Sequence, residues 1–415
     1  MTQASPDRPA SPLLQSKDNL VEQAPDAHRT QPPRVEPPCD AAVRTLLSKV
    51  GGTLHQAVSA QELKWSSKEL DADDAYVVAY VVAASSVLQK LILGANSIRD
   101  EGASAIAEAL RANGAPGQRH APHGVLTTLA LHFNHVGDEG AKAIAEALKV
   151  NVVLKDLWLN NSSICDEGAV ALGEALRANG SLTSMNLYKN KINQEGAVAL
   201  ASALKVNTVL TAIGLGENKV GFTGAAAIAQ ALCTNSVLQH LDLECNKVGN
   251  AGAAAIAGAL PFNRVLRVLN LSSNCIGDAG AVALAEGLST IGAAPITVLD
   301  LHNNSIGSEG SKAIAEALHA NKVVKELRIH ENSIRDKGAN AFAAMLRTNA
   351  TLQVLVLDGN SIGTEGAVAI MAEALTINLA LMTLKMGGPN NFDQDSKSKL
   401  RDAAKGRRNR LQLIF

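Results

Sequence analysis

Apolar and polar positions recur along this chain in units of 28 residues, as the step from Asn190 to Asn218 shows. The unit that spans residues 126–151 reads LTTLALHFNHVGDEGAKAIAEALKVN, and close copies begin at Leu88 and Leu352. Leucines first alternate with other residues, which is typical of a strand, and apolar residues then recur at spacings of three and four, which is typical of a helix. Each unit therefore predicts one short strand followed by one helix.

An asparagine fixes the register, because it follows the strand at the same distance in almost every unit. We predict that its side chain binds backbone groups where the chain leaves the strand. Ser162 replaces it once, and insertions lengthen the units at residues 114–124 and 292–295. A second asparagine, such as Asn151, ends each helix, where we predict a left-handed backbone. The first series consists of Asn96, Asn134, Asn190, Asn218, Asn246, Asn274, Asn304, Asn332 and Asn360.

Composition divides the chain into four segments. Eight of the thirteen prolines lie in residues 1–40, which predicts a disordered leader. Residues 41–59 have helical apolar spacing and predict an N-terminal helical cap. Residues 60–389 carry the repeats, with Trp65 predicted inside the first core layer. Residues 390–415 are rich in Lys and Arg and predict a basic C-terminal cap that closes the last layer.

The repeat has a recognisable consensus. Its strand part fits L-x-x-L-x-L-x-x-N-x-I, and its helix part fits E-G-A-x-A-I-A-E-A-L-x-x-N. This unit, with its full helix, resembles the ribonuclease-inhibitor-like subclass of leucine-rich repeat proteins. The resemblance implies an α/β fold, a right-handed leucine-rich-repeat solenoid in the form of a horseshoe. It implies about 11 repeats plus caps, with a parallel β-sheet on the concave side and α-helices on the convex side.

Charge and cysteine content narrow the range of partners and compartments. Lys and Arg number 38 and Asp and Glu number 39, which argues against binding to nucleic acid. No apolar run is long enough for a membrane helix, so we expect no membrane insertion. Five cysteines without a C-x-x-C pair are typical of a reducing compartment. We therefore predict a cytoplasmic protein that acts as a monomeric scaffold.

Motifs for metalloprotease chemistry and nucleotide binding are missing from the sequence. The chain contains no H-E-x-x-H and no G-x-x-x-x-G-K-[ST]. We predict no catalytic residues and no cofactor. Function on such a fold belongs to the concave strand positions and to the loops that follow them. The sequence therefore predicts a non-enzymatic scaffold for protein–protein interaction that binds its partner on the concave face.

Outward positions of the strands and their following loops supply the candidate partner-binding residues. Aromatic side chains such as Trp158 and Tyr188 are typical of interface hot spots. Later units contribute charged residues that favour a basic partner, although Asp300 and Arg328 can also neutralise each other across neighbouring strands. The candidate set is His132, Phe133, Trp158, Asn160, Tyr188, Asp242, Glu244, Asp300, His302, Arg328, His330 and Asp358.

A metal site is one alternative for the last three units of this set. His302, His330 and Asp358 occupy equivalent positions of successive units, and histidine and carboxylate are ligands that divalent metals accept. A line of ligands on a rigid sheet does not close a tetrahedron. We therefore predict no metal site here.

Two other functions follow from resemblance alone. The repeat is similar to that of Ran GTPase-activating protein, which implies a regulator of a small GTPase, with that GTPase as partner. The basic tail departs from that family, which typically carries a strongly acidic C-terminal region. The repeat is also similar to the repeat tails of NOD-like receptors, which implies a sensor that lacks the nucleotide-binding module.

Overall fold

The computed structural model describes residues 35–114, 125–290, 292–405 and 411–414. The predicted leader, residues 1–40, lies outside this part of the chain except for residues 35–40, and the insertion lies outside it after Gly114. Two helices precede the repeats, namely α1 (Asp40–Val50) and α2 (Leu54–Val58). Among the residues described, no helix is long and apolar enough to cross a membrane.

One three-residue strand from each unit joins a single parallel sheet, in which thirteen strands follow their order in the chain. The register does not slip, since Leu157 pairs with Leu129 on one side and Met185 on the other. The strands are β1 (Glu62–Lys64), β2 (Lys90–Ile92), β3 (Thr128–Ala130), β4 (Asp156–Trp158), β5 (Ser184–Asn186), β6 (Ala212–Gly214), β7 (His240–Asp242), β8 (Val268–Asn270), β9 (Val298–Asp300), β10 (Glu326–Arg328), β11 (Val354–Val356), β12 (Thr383–Lys385) and β13 (Gln412–Ile414).

One helix follows each of the first twelve strands and packs against the helices of the neighbouring units. These helices are α3 (Ala72–Ala84), α4 (Arg99–Gly114), α5 (Asp138–Leu148), α6 (Asp166–Ala178), α7 (Gln194–Leu204), α8 (Gly221–Leu232), α9 (Gly249–Ala259), α10 (Asp278–Ser289), α11 (Ser308–Ala320), α12 (Arg335–Leu346), α13 (Thr364–Thr376) and α14 (Gln394–Lys405).

A single core lies between the sheet and the helices. The central residue of each strand, such as Leu157, and the apolar face of each helix, such as Ile144 and Leu148, are buried in it. Trp65 is also buried, as the sequence predicts for a residue of the first core layer. Strand and helix alternate along one continuous core, which confirms the predicted α/β leucine-rich-repeat solenoid.

The ladder asparagines bind backbone groups of two consecutive repeats. Nδ2 of Asn190 donates to the carbonyls of Leu159 and Leu187 at 2.9 Å, and Oδ1 accepts from the N–H groups of Ser162 and Ile164 at 3.0 Å. Each amide therefore satisfies buried backbone groups and holds neighbouring repeats together, and the predicted role of this series is confirmed.

The second asparagine series works differently from the prediction. Asn179 ends α6 with φ −74° and ψ 122°, which is an extended and not a left-handed backbone. Its Nδ2 donates to the carbonyl of Leu148 in the preceding repeat at 2.7 Å, and its Oδ1 accepts from the N–H of Leu182 at 2.7 Å. The predicted left-handed conformation is wrong: the end of α6 is bound by the asparagine of the following repeat, since Nδ2 of Asn207 donates to the carbonyl of Leu176.

Helix starts are capped by the preceding repeat. Oδ1 of Asp138, in the first turn of α5, accepts from the N–H groups of Cys165 and Gly168 at the start of α6, at 2.8 and 2.9 Å. The side chains that cap the next helix in this way are Asp100, Asp138, Asp166, Asn250, Asp278 and Asp336.

Candidate protein-binding face

The side of the sheet opposite the helices faces solvent, and we call it the open face. It corresponds to the face that the sequence predicts as concave. Strand register aligns four of the candidates, at the last position of their strands, in one row: Trp158, Asp242, Asp300 and Arg328. Backbone hydrogen bonds continue the ladder two residues beyond the strands, where a second row holds His132, Asn160, Tyr188, Glu244, His302, His330 and Asp358. Phe133 belongs to a third row, one residue further along.

Three aromatic residues of the repeats of β3 and β4 lie together, and we call them the aromatic patch (His132, Phe133 and Trp158). The ring centroid of His132 is 6.0 Å from that of Phe133 and 6.1 Å from that of Trp158. Phe133 is 45% exposed and Trp158 is 39% exposed. Burial lowers the pKa of His132, so its ring is neutral near pH 7 and adds apolar surface. The patch is an exposed apolar surface next to the strand ends.

A glycine makes room for this patch. A Cβ built on Gly94 would lie 2.0 Å from Nε2 of His132, so any side chain at this position would displace the histidine ring. The position of the His132 ring therefore depends on the absence of a side chain in the neighbouring repeat.

Tyr188 does not join the aromatic patch, contrary to its grouping with those residues in the sequence. Its ring lies over Gly216, where a Cβ would be 2.6 Å from Cδ2, and its hydroxyl donates to the carboxylate of Glu217. Burial, followed by this hydrogen bond to Glu217, raises the pKa of Tyr188. Asn160, half-buried, follows the strand between those of His132 and Tyr188.

Asp242 and Glu244 form a pair of neighbouring acids, which we call the carboxylate pair. Oδ1 of Asp242 accepts from the N–H of Glu244 at 2.9 Å. The pKa of Asp242 is raised mainly by burial and further by the charge of Asp300. The pKa of Glu244 is raised mainly by burial and further by the charge of Asp242. Among the described residues, neither acid has a Lys or Arg within ion-pair distance. The charge of His302 acts on Glu244, and Arg328 lines the same depression as Asp242, so the negative charge of the pair is only partly offset.

A depression of about 300 Å³ lies beside the carboxylate pair. Its floor is β6, whose outward residues are Ala212 and Gly214, and its lining includes Asn186, Asp242 and Asp300. Because β6 carries almost no side chains on this face, the larger residues of the neighbouring strands become walls.

Asp300 is only 5% exposed and organises a charged network. It accepts from Nδ1 of His302 at 2.8 Å, and its Oδ2 lies 3.4 Å from Nη1 of Arg328, so these two residues neutralise each other as the sequence suggests. Arg328 also contacts Glu326 at 2.7 Å. Burial alone would raise the pKa of Asp300, but the hydrogen bonds from His302 and the charges of His302 and Arg328 hold it below its usual range.

The rings of His302 and His330 stack with centroids 4.4 Å apart and planes 6° apart. The hydrogen bond to Asp300 raises the pKa of His302, whereas burial and then the charge of His302 lower the pKa of His330. Parallel rings direct their nitrogen lone pairs along parallel planes, which do not converge on one ion. Asp358 is engaged separately, since Oδ1 accepts from the N–H of Gly387. Within the described part of the chain, no three such residues are placed to hold a metal ion.

Residues 359–363 read G-N-S-I-G, a match to the nucleophile motif G-x-S-x-G. Ser361 has φ 54°, and the corresponding loop positions of other repeats, such as Ser163 and Cys275, are also left-handed. Among the hydrogen bonds of the described residues, none joins Ser361 to a histidine. The match therefore follows from the repeat and not from a catalytic arrangement.

Two residues outside the candidate set take part in the open face. Glu217 accepts the hydrogen bond from Tyr188 and lies 3.8 Å from Lys189, and Glu326 binds Arg328. The positions of both residues in the repeat could have predicted that they lie on this face. Glu217 holds the third-row position of Phe133, and Glu326 is the first outward residue of β10.

The sequence matches the family model described as "Leucine Rich repeat" in seven segments: residues 84–107, 125–145, 178–201, 234–257, 262–285, 294–315 and 348–371. A comparison with curated proteins gives no match.

Three solved structures illustrate the likeness to known folds. Leiomodin-1 actin-binding site 2 is 32% identical to this chain, with a TM-score of 0.25. The match covers 26% of this chain and 63% of the leiomodin chain. An internalin of Listeria monocytogenes is 17% identical over 90% of this chain and 93% of its own, with a TM-score of 0.45. The tropomodulin C-terminal domain of Caenorhabditis elegans is 19% identical over 30% of this chain and 75% of its own, with a TM-score of 0.27. At TM-scores this low, none of the three bears on what this chain does.

The family assignment depends on the repeat itself. Seven segments match the family model, and the structure gives each of them a place in the same succession of parallel strand, ladder asparagine and helix. The chain therefore belongs to the leucine-rich repeat proteins.

Proposed function

We propose that this protein is a non-enzymatic scaffold whose open face binds a partner protein. The observation that carries the proposal is the aromatic patch, where the exposed side chains of Trp158 and Phe133 both lie about 6 Å from the ring of His132. Large aromatic side chains bury much surface with little loss of side-chain entropy, and they are enriched among interface hot spots. A rigid strand position keeps the cost of ordering such an anchor low.

The state of the thiols supports a non-enzymatic role. Burial raises the pKa of Cys165, and burial followed by the charge of Glu217 raises the pKa of Cys245. A nucleophilic cysteine requires the opposite shift, because the thiolate is the reactive form. Both residues belong to the repeat loops, where they occupy ordinary structural positions.

A photo-crosslinking comparison tests the proposed face. Trp158 on the open face and Val198 on α7 are both 39% exposed, so the two positions form a matched pair. The full chain, with p-benzoylphenylalanine at one position or the other, is irradiated in an extract of the source cells. We expect a discrete adduct from position 158 and none from position 198. Adducts from position 198 alone, or from neither position, would show that the partner does not bind the open face.

The double variant Phe133→Ala/Trp158→Ala measures the strength of the anchor. Against a partner identified by the crosslink, we expect an affinity about 10-fold to 100-fold lower than that of the unmodified chain. Val198→Ala, the control, should leave the affinity within about twofold.

The finer assignments stay predictions. These are the ribonuclease-inhibitor-like subclass, a monomeric state, a cytoplasmic location, and the small-GTPase regulator and receptor-type sensor as alternative functions. A GTP hydrolysis assay with the crosslinked partner separates the first alternative from a passive scaffold, because a scaffold leaves the hydrolysis rate unchanged.

A further inference from the structure

We infer that the open face binds a basic protein segment, in which an apolar residue packs on the aromatic patch and an arginine enters the depression beside the carboxylate pair. This inference rests on the proposed function and adds the chemistry of the partner.

Charge complementarity is the first reason for a basic segment. Four other acids of the open face are bound within the protein: Asp300 and Glu326 by Arg328, Glu217 by Tyr188, and Asp358 by the Gly387 backbone. Within the described residues, Asp242 and Glu244 have no lysine or arginine within ion-pair distance, although both are partly buried. Two half-desolvated carboxylates repel each other, and a partner cation removes that repulsion on binding.

The shape of the depression favours arginine. Its volume of about 300 Å³ is at the small end for a ligand pocket, so it is large enough for a side chain and too small for a folded element. A guanidinium group presents donors in a planar fork, which suits carboxylate and amide oxygens on several sides. Asp242 and Asn186 provide such oxygens above the floor at Gly214. The negative charge of this face opposes nucleic acid, so the occupant is a protein segment.

Spacing connects the depression to the aromatic patch. Trp158 lies on β4 and Asp242 on β7, which are three strand steps apart in the sheet. Three steps of about 4.8 Å give about 14 Å, which an extended peptide covers in about four residues. One short segment therefore reaches both features when it crosses the strands.

A synthetic peptide is the probe. It carries fluorescein at its C-terminus and reads Phe-Gly-Gly-Gly-Arg-Lys-Arg-Lys, so that the phenylalanine and the first arginine are four residues apart. Its binding to the full chain is measured by fluorescence anisotropy. We expect affinity to fall at least about threefold when the three glycines are deleted, because one residue step of about 3.4 Å does not span both features.

The variant Asp242→Asn/Glu244→Gln removes both charges while keeping the side-chain shapes. We expect it to bind the peptide about tenfold more weakly than the unmodified chain. Glu286→Gln/Glu309→Gln changes the net charge equally at exposed positions of α10 and α11, and should bind within about twofold of the unmodified chain. Equal losses in both variants would mean that only overall charge attracts the peptide, which overturns the inference.

Gly214→Val provides a second variant that does not depend on charge. A Cβ at Gly214 lies 3.1 Å from Oδ1 of Asn186, so the amide must shift by a few tenths of an ångström; valine suits a strand, and we expect a folded protein with its depression filled. Its peptide affinity should fall about tenfold, while circular dichroism shows a folded chain. Unchanged peptide binding by this variant contradicts the inference.

The two proposals can fail separately. In one outcome, position 158 crosslinks but the variants at Asp242, Glu244 and Gly214 do not change peptide affinity. The open face is then still the interface, but the inference of a basic segment is overturned. In the other outcome, peptide affinity depends on these residues but position 158 gives no crosslink. This supports the basic site and contradicts the proposal that a partner protein binds at the aromatic patch.

Discussion

Ser162 stands where the other repeats carry a ladder asparagine. Its Oγ reaches the carbonyl of Leu131 at 3.4 Å, whereas Nδ2 of Asn190 binds the equivalent carbonyl of Leu159 at 2.9 Å. A hydroxyl is also too short to accept from the backbone of the preceding repeat, as the Asn190 amide does. The ladder is therefore weakest between the repeats of β3 and β4.

We expect Ser162→Asn to raise the free energy of unfolding by about 1–2 kcal/mol, because it restores hydrogen bonds to buried backbone groups. The reverse change in the next repeat, Asn190→Ser, is the matched control and should lower it by a similar amount. Chemical denaturation monitored by circular dichroism measures both. A loss of stability in Ser162→Asn would show that this repeat is too tightly packed to accept the larger side chain.

His302 gives the open face a pH-dependent contribution to stability. Its pKa is raised in the folded state by the hydrogen bond to Asp300, so its stabilisation is fully present below its unfolded pKa near 6.5 and is lost as pH rises through the folded pKa. The lowered pKa of His330 acts in the opposite direction, since its contribution is present above the unfolded pKa and is lost as pH falls through the lowered folded value.

We therefore expect His302→Gln to be less stable than the unmodified chain at pH 5.5, with the difference shrinking by pH 8.5. Melting temperatures across this range measure the effect. A constant difference between His302→Gln and the unmodified chain would mean that the ring acts only by packing.

At the scale of elements, the residue that corresponds to Asp138, in the first turn of a repeat's helix, decides how the helix of the next repeat begins. After a repeat with Asp or Asn at this position, the residue before the helix has a negative φ, as at Cys165 with φ −104°. After Ala72, Gln194, Phe222 and Ser308, the corresponding residue is left-handed and donates its N–H to the carbonyl of a ladder asparagine; these residues are Arg99, Gly221, Gly249 and Arg335. The backbone thus has two ways to satisfy the same helix start, and the preceding side chain selects between them.

Asp278 tests the capping role, because its Oδ1 accepts from the N–H groups of Gly307 and Gly310 at 2.7 and 2.8 Å. We expect Asp278→Ala to lower the free energy of unfolding by about 1–2 kcal/mol, which is the usual cost of a lost helix cap. Asp278→Asn is the control and should retain most of the stability, since Asn250 caps α10 in the same way. Equal losses in the two variants would point to the charge and not to the hydrogen bonds.

At the scale of the whole molecule, Lys49 at the end of α1 joins this first helix to the repeat of β1. Its Nζ lies 2.5 Å from Asp74 and 3.3 Å from Asp71, and it donates to the carbonyl of Glu69 at 3.1 Å. Asp74 is only 2% exposed, so removal of the lysine leaves a buried charge with fewer partners. A repeat protein depends on terminal caps because its terminal core layers have no neighbouring repeat.

We expect Lys49→Met to lower the free energy of unfolding by about 2 kcal/mol, since methionine keeps the apolar stem but loses the charged hydrogen bonds. Lys149→Met is the matched control, because its ion pair with Glu146 has the same 2.5 Å length but is more exposed. The control should change stability by less than about 0.5 kcal/mol. Equal effects in the two variants would show that this junction does not depend on its buried ion pair.

The sequence by itself determined the periodic part of this protein. Leucines at alternate positions, helical spacing and one asparagine per unit act locally, so they gave the parallel sheet, the helix layer, the buried Trp65 and the outward rows. They also predicted that Asp300 and Arg328 meet, because residues at equal positions of successive repeats are neighbours across the sheet.

Only the tertiary structure decided how side chains turn within those rows. The absence of side chains at Gly94 and Gly216 lets His132 and Tyr188 lie over neighbouring strands, which brings the first into the aromatic patch and directs the second to Glu217. The capping of six helices by the preceding repeat and the side-chain role of Asn179 likewise depend on contacts about 30 residues apart. Local periodicity fixes where a residue lies, whereas rotamers and partners depend on the space and charges that neighbouring repeats leave.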